Sequence, residues 1–329
     1  MDVYRFRLQL ADLAAASFAC SPLHEAVLSL RMWTHPGVYV HQTRWFERIR
    51  PEFERLDTTL LTSLVASNRF VPDFLTPRPS GPFPDVRSEL AEVRALPPEL
   101  LRVELERTHL PHDRVLPAPL AAGLADPAGL LARIADALEE YWDRCLGPEW
   151  WPRARAVLRA DIVHRSRVLA ERGAAMLFAD LDGRLYWEDG TLTIRRDKPG
   201  WPEADITVDG RGLVFVPTFF ARGAITSIDD GLPPMISYPA RGQATLADSP
   251  LPAPDSRAMV QLVGGPKARL LAMLAEPAST TELAHRLGVT PGAVSQHLAV
   301  LAATRLVTSA RHGRLVLYAR SPLGDRLCE

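Results

Sequence analysis

The chain has 329 residues, 47% of them hydrophobic, and a formal net charge of −1. This length predicts about two domains with enough apolar content for a core. No apolar stretch approaches the roughly 18 residues of a membrane span, and the first residues lack a signal-peptide apolar segment, so we expect a cytoplasmic protein without membrane association. The three scattered cysteines, Cys20, Cys145 and Cys328, argue against a disulfide framework.

The net charge hides a difference between the two ends of the chain. From Leu262 onward, eight Lys and Arg residues stand against four Asp and Glu, a net of +4. The preceding part has 30 against 35, a net of −5. A basic module attached to an acidic body is typical of a DNA-binding protein with a separate sensing or dimerising part.

The first part of the chain is predicted to be mostly helical. A short strand over residues 4–10 precedes a helix that begins at Ser21-Pro22 and ends before His35-Pro36-Gly37. Apolar periodicity predicts further helices over residues 43–55, 57–67, 85–95 and 97–107, from Asp126 onward, and over 151–181 with an interruption at Gly173.

A proline-rich segment at residues 70–84 interrupts these helices. Its five prolines exclude a regular helix or a central strand, yet it keeps Phe70, Phe74, Leu75 and Phe83. The segment therefore either packs over the core or forms the wall of a pocket.

The periodicity changes to that of strands after residue 184. Asp189-Gly190 predicts a hairpin between residues 185–188 and 191–194, and Asp209-Gly210 predicts a second one between 205–208 and 212–218. Residues 235–238 and 243–247 are expected to complete a small antiparallel sheet. The Pro-rich stretch 248–256 reads as a linker, which places the domains at residues 1–250 and 258–329.

Residues 279–301 predict two short helices joined by a tight turn. In the first helix, Leu283, Ala284 and Leu287 share a face, and Gly288 follows as a C-terminal cap. Thr290 caps the second helix, which starts at Pro291 and buries Val294, Leu298 and Leu301. Its outward side carries small, hydrogen-bonding residues without charge, which suits a DNA major groove.

Two strands follow the second helix and predict a wing. Residues 306–309 and 315–319 flank the polar turn Ala310-Arg311-His312-Gly313-Arg314. The stretch TTELAHRLGVTPGAVSQHLAVLAATRLVTSARHGRLVLYARSPLGDRL resembles the ArsR-type winged-helix repressor family. Pieces at residues 21–27, 72–77 and 238–242 are similar to regulators of this type that carry a large N-terminal domain of unassigned function.

The resemblance implies an α+β protein: a mostly helical N-terminal domain with a small antiparallel sheet, then a C-terminal winged helix-turn-helix. It also implies a sequence-specific DNA-binding transcriptional regulator, expected to be a repressor, that binds a pseudo-palindromic operator in double-stranded DNA as a homodimer. In such a protein the second helix contacts the base edges and the wing contacts the DNA backbone. The residues expected to contact DNA are Thr280, Thr281, Thr290, Pro291, Gly292, Ser295, Gln296, His297, Arg311, His312 and Arg314.

Other kinds of site receive little support from the sequence. The positions at which the resembling family holds metals carry no cysteine pair and no converging histidines, so no metal is expected. No nucleophile elbow, P-loop, dinucleotide fingerprint or zinc-protease motif is present, so neither catalytic residues nor a cofactor are predicted. The N-terminal domain is therefore predicted to bind a small-molecule effector or to form the dimer. The alternative is a winged helix that binds another protein and not DNA.

Overall fold

A computed structural model describes residues 3–195, 203–228, 231–243, 256–274, 277–312 and 315–328, and gives only the backbone of 256–258, 311–312, 315 and 326. The chain divides into two units, residues 1–247 and 248–329, which are treated separately below.

The N-terminal unit begins with a strand and then becomes helical. Its helices are α1 (Leu10–Ala14), α2 (Pro22–Ser29), α3 (Arg31–Thr34), α4 (Thr43–Phe53), α5 (Thr58–Ser63), α6 (Val86–Arg94), α7 (Pro98–Asp113), α8 (Ala118–Gly123), α9 (Pro127–Tyr141) and α10 (Trp150–Leu181). Capping explains several of the starts: Ser21, Asp57, Asp85 and Asp126 each accept a hydrogen bond from a backbone N–H in the first turn. As predicted, α10 is interrupted at Gly173, whose φ of 80° is non-helical.

Helix α2 is the centre of the helical core. All eight of its residues are buried, including His24 and Glu25. Large side chains from α4, α9 and the start of α10 complete this core, among them Phe46, Tyr141 and Trp150.

Among the described residues of the N-terminal unit, two mixed four-stranded sheets accompany the helices. The strands are β1 (Val3–Arg7), β2 (Ser17–Phe18), β3 (Leu185–Glu188), β4 (Thr191–Arg195), β5 (Ala204–Thr207), β6 (Val214–Thr218), β7 (Ile225–Ser227) and β8 (Met235–Pro239). One sheet has the order β3-β4-β1-β5 and the other β2-β6-β8-β7. The C-terminal part of α10 packs on both sheets through Leu177, Phe178 and Leu181, in a core shared with Phe215 and Ile236.

The sheets both confirm and correct the predicted pairing. The hairpin across Asp189-Gly190 is confirmed, since β3 and β4 pair antiparallel. The hairpin across Asp209-Gly210 is wrong: β5 pairs parallel with β1, whereas β6 pairs parallel with β2 and β8. Asp209 and Gly210 do form a turn with positive φ, but every residue of β6 is buried, as in an inner strand of a parallel sheet. The α+β class is therefore confirmed, with mixed sheets in place of one antiparallel sheet, and the strand predicted at 243–247 falls almost wholly outside the described residues.

The proline-rich segment fulfils both of its predicted roles. Leu75 is fully buried and joins the helical core. Phe70, Val71 and Thr76 lie along a cavity, and the Arg78 side chain donates to the backbone oxygens of Ser227 and Pro233, both at 3.1 Å. These bonds tie the segment to the second sheet.

The C-terminal unit contains five helices and three strands among its described residues. They are α11 (Ser256–Val263), α12 (Gly265–Met273), β9 (Ala278–Ser279), α13 (Thr280–Leu287), α14 (Pro291–Ala303), β10 (Val307–His312), β11 (Leu315–Arg320) and α15 (Pro322–Cys328). Gly264, which has a φ of 84°, separates α11 from α12. The strands form one sheet in the order β10-β11-β9.

Candidate nucleic-acid interface

The first helix of the predicted motif, α13, is fixed at both ends by local chemistry. The Ser279 hydroxyl accepts a hydrogen bond from the Glu282 backbone N–H at 3.3 Å. Gly288 caps the other end in the left-handed region, with a φ of 65° that a residue with a side chain rarely adopts. The Glu282 carboxylate pairs with Arg286 one turn later. Ser279 and Gly288 therefore fix the two ends of α13, and Gly288 sets the turn that leads into α14.

The second helix, α14, presents its apolar side to the core of the unit. Thr290 accepts a hydrogen bond from the Ala293 N–H at 3.3 Å, and Pro291 occupies the first helical position. Val294, Leu298 and Leu301 are buried at no more than 1% exposure and join a core shared with α12, α13 and β10. This packing fixes which side of α14 remains outside.

The outer side of α14 is exposed and carries no charged group. Ser295 and Gln296 are both exposed, as are Pro291 and Gly292, whereas His297 is half-buried at the flank. Gln296 shares a face with the small residues Gly292, Ala299 and Ala303 at i, i+4, i+7 and i+11 spacing. The 13 residues of the helix include no Lys, Arg, Asp or Glu. A shallow, uncharged surface with one long amide at its centre can approach base-pair edges closely.

Hydroxyl groups lie at the starts of both helices. Thr280 is half-buried and Thr281 exposed in the first turn of α13, and Thr290 is exposed before α14. Each helix start also carries backbone N–H groups and the positive end of the helix dipole. These positions can bind anionic oxygens, as DNA phosphates require.

The wing is an antiparallel ribbon bonded to the motif. Strands β10 and β11 pair antiparallel, from Val307↔Arg320 to His312↔Leu315. Strand β11 also pairs with β9, and Leu317 lies opposite Ser279, the cap of α13. Arg311 and His312 lie in β10, but their side chains, and the whole of Arg314, lie outside the described residues. Their contacts with DNA stay a prediction.

Sequence reasoning missed the short strand β9. Two residues give no alternation, so no local signal could have revealed it. The strand matters because it joins the wing to the start of α13 and thereby fixes the wing beside the motif.

Catalytic and metal chemistry find little support among the described residues. No three His, Cys, Asp or Glu side chains gather there as metal ligands would. His109 bonds the Asp113 carboxylate at 2.7 Å, and His164 bonds Asp180 at 3.2 Å; both are pairs within or along helices. Across the described ranges, no helix has both the length and the apolar character to cross a bilayer.

Comparison with protein-family models gives two matches. Residues 268–310 match a helix-turn-helix domain, a range that covers α13, α14 and the first part of β10. Residues 120–244 match a family of unknown function (DUF5937) and lie within the N-terminal unit. No curated protein is similar enough to count as a relative.

Comparison with solved structures gives matches limited to about a fifth of the chain. A cysteine-to-serine mutant of Lactococcus lactis ZitR is 24% identical over 19% of this chain and 46% of that chain, with a TM-score of 0.19. Reduced HlyU from Vibrio cholerae is 28% identical over 21% of this chain and 76% of that chain, also with a TM-score of 0.19. The match thus spans less than half of that ZitR chain.

Proposed function

We propose that this protein is a transcriptional repressor of the ArsR type that binds a pseudo-palindromic operator as a homodimer through its C-terminal winged helix-turn-helix. The observation that carries the proposal is the exposed, uncharged face of α14, centred on Gln296 and flanked by the capped start of α13. In this proposal the protein acts by binding, without a catalytic role, and works in the cytoplasm on chromosomal DNA.

Base recognition is assigned to α14. The Gln296 amide has a donor and an acceptor at one end, which match N6 and N7 of adenine in the major groove. Ser295 lies beside it and can reach a neighbouring base or a phosphate. Pro291 and Gly292 allow the start of the helix to approach closely, and the half-buried His297 reaches only the edge of the contact.

Phosphate contacts are assigned to the flanks. Thr280, Thr281 and Thr290 supply hydroxyl groups at helix starts, where the backbone also favours anions. Arg311, His312 and Arg314 of the wing are assigned to the adjoining backbone or minor groove, because the ribbon is bonded to the cap of α13. These cationic contacts would supply most of the affinity and make it depend on salt.

A dimer is proposed because one motif offers few contacts. Specific protein–DNA interfaces bury more surface than one short helix and one wing supply, and two-fold symmetry doubles the contacts on two half-sites about one helical turn apart. The N-terminal unit is assigned to effector binding or dimerisation. An effector that binds one of two arrangements of the dimer more tightly would release DNA.

The test is a gel-shift titration of the full chain against the DNA upstream of its own coding sequence, at two salt concentrations. We expect binding that weakens steeply with salt, because phosphate contacts release counterions. Gln296→Ala should weaken binding to the preferred site, whereas the same substitution at Gln261, exposed on α11, should leave it unchanged. Absence of any salt-dependent DNA binding would favour a winged helix that binds another protein.

A further inference from the structure

The N-terminal unit contains a cavity of about 160 Å³ that the proposed DNA contacts do not use. Its walls come from α2 and α3, from residues 70–76 of the proline-rich segment, from β7 and β8, and from Tyr4 of β1 and Arg107 of α7. Two of the sequence pieces singled out above, residues 21–27 and 72–77, thus meet at one place. His24 comes from the first, and Asp73 and Thr76 come from the second.

Several side chains along this cavity hold buried polar atoms without a hydrogen-bond partner among the described residues. They are both ring nitrogens of His24, Nε of Arg31, the hydroxyl of Thr226 and the hydroxyl of Ser227. His24 is 3% exposed and Arg31 is 4% exposed. An unsatisfied buried group costs about 1–3 kcal/mol, and native proteins hold few of them. Several around one cavity indicate that a bound molecule completes their bonding.

The charge around the cavity favours an anion. Arg31 donates from Nη1 to the Phe220 backbone oxygen at 3.1 Å and also bonds the Tyr39 side chain, and no carboxylate of the described residues is among its partners. Asp73, the carboxylate on the cavity wall, pairs with Arg107 at 2.9 Å. Arg69 adds a second positive charge near Arg31. A buried cation without a counter-charge is strongly unfavourable, so a negative group beside Arg31 would offset it.

His24 lies beside this charge as a neutral side chain. Burial, to which the charge of Arg31 adds, lowers the pKa of His24 to about 3. Near pH 7 the ring therefore offers one donor and one acceptor. It can bond a polar ligand atom without adding a further positive charge.

The rest of the wall sets the size and character of the ligand. Leu28, Val71, Ile225 and Met235 supply apolar surface. A cavity of about 150 Å³ accommodates a benzene molecule, so this one suits roughly six to nine non-hydrogen atoms.

We propose that this cavity binds a small organic carboxylate with a short branched or cyclic apolar body, its carboxylate facing Arg31 and its body facing Leu28 and Ile225. The hydroxyl of Ser227, on the same face of β7 as Ile225, completes the polar contacts. That this ligand controls DNA release rests on the proposed function, whereas the binding itself does not.

The test is thermal unfolding of the full chain, monitored by tryptophan fluorescence. All seven tryptophans lie before residue 202, so the signal reports the N-terminal unit. The probes are 3-methylbutanoate, its neutral amide and sulfate, all at one concentration, about tenfold that at which 3-methylbutanoate half-saturates the protein. We expect 3-methylbutanoate to raise the unfolding midpoint by about 3 °C and the other two to leave it within about 1 °C.

Variants locate the effect. Arg31→Gln removes the uncompensated charge, and Ser227→Leu fills the cavity while it removes an unpartnered hydroxyl and keeps every charge. Both should abolish the shift, whereas Arg87→Gln, an exposed arginine on α6, should keep it. If Arg31→Gln does not fold, the presence or absence of the thermal shift in Ser227→Leu tests the proposal. A full shift in Ser227→Leu, an equal shift with the amide or with sulfate, or no shift with 3-methylbutanoate would each overturn the proposal.

The link to DNA is measured separately. Adding 3-methylbutanoate to the gel shift should release the operator from the wild-type chain and not from Ser227→Leu. A thermal shift without any DNA binding would leave the cavity assigned and the regulator refuted. DNA binding without a thermal shift would support the regulator and refute the proposed ligand of the cavity.

Discussion

Glu25, at the centre of the helical core, makes the stability of the N-terminal unit depend on pH. Its carboxylate is fully buried and accepts from the Phe219 backbone N–H at 3.2 and 3.3 Å. Burial raises the pKa of Glu25 from 4.5 to about 8, although hydrogen bonds from Thr218 and Phe219 act in the opposite direction. The side chain is therefore mostly protonated in the folded protein near pH 7.

The sign follows from the two pKa values. Because the folded pKa lies above the unfolded one, the folded state binds more protons between about pH 4.5 and pH 8, and stability falls as the pH rises through this range. From about pH 6.5 to about pH 8.5, the loss from Glu25 amounts to about 2 kcal/mol. His24 has the opposite sign, but its contribution falls between about pH 3 and pH 6.5, below this window.

Glu25→Gln isolates the effect, since the amide is neutral at every pH and keeps a donor and an acceptor in the same place. The measurement is urea unfolding of the full chain, followed by tryptophan fluorescence, across the same pH window. We expect the wild-type free energy of unfolding to fall by about 2 kcal/mol more than that of Glu25→Gln. Glu89→Gln is the matched comparison. Burial raises the pKa of Glu89 to about 7, so this variant should reduce the fall in the free energy of unfolding across the window by only about 0.8 kcal/mol. Parallel curves for wild type and Glu25→Gln would refute the reasoning.

The remaining predictions concern the C-terminal unit. Gln296→Ala should lose about 1–3 kcal/mol of discrimination at one base pair, measured by competition among operator variants, and an equal loss on all sequences would contradict the base contact. Arg314→Ala should weaken binding to every sequence and reduce the slope of log affinity against log salt by about 0.9, so that an unchanged slope would exclude a phosphate contact. Leu298→Ala, at a fully buried position, should destabilise this unit by about 2–5 kcal/mol in urea unfolding followed by circular dichroism. Gly288→Ala should destabilise it by about 1 kcal/mol because of the positive φ, and no change would show that the turn adopts another conformation.

The sequence alone determined the helix-turn-helix and which side of each of its helices is buried. Ser279, Gly288 and Thr290 act within one turn of their own positions, and the stripe of Val294 and Leu298 follows from helical periodicity. The same local stripe places Gln296 on the opposite, exposed side. A tight turn such as Asp189-Gly190 is likewise local, since it joins the two strands that it flanks.

Only the tertiary structure decided which distant residues meet. The turn at Asp209-Gly210 resembles a hairpin turn in sequence, yet β5 and β6 enter different sheets, because the burial of β6 between layers outweighs the local turn. The same holds for the cavity, where His24 and Ser227 are brought together although about two hundred residues separate them. Periodicity and capping describe interactions between neighbours along the chain, whereas strand partners and cavity walls depend on long-range packing.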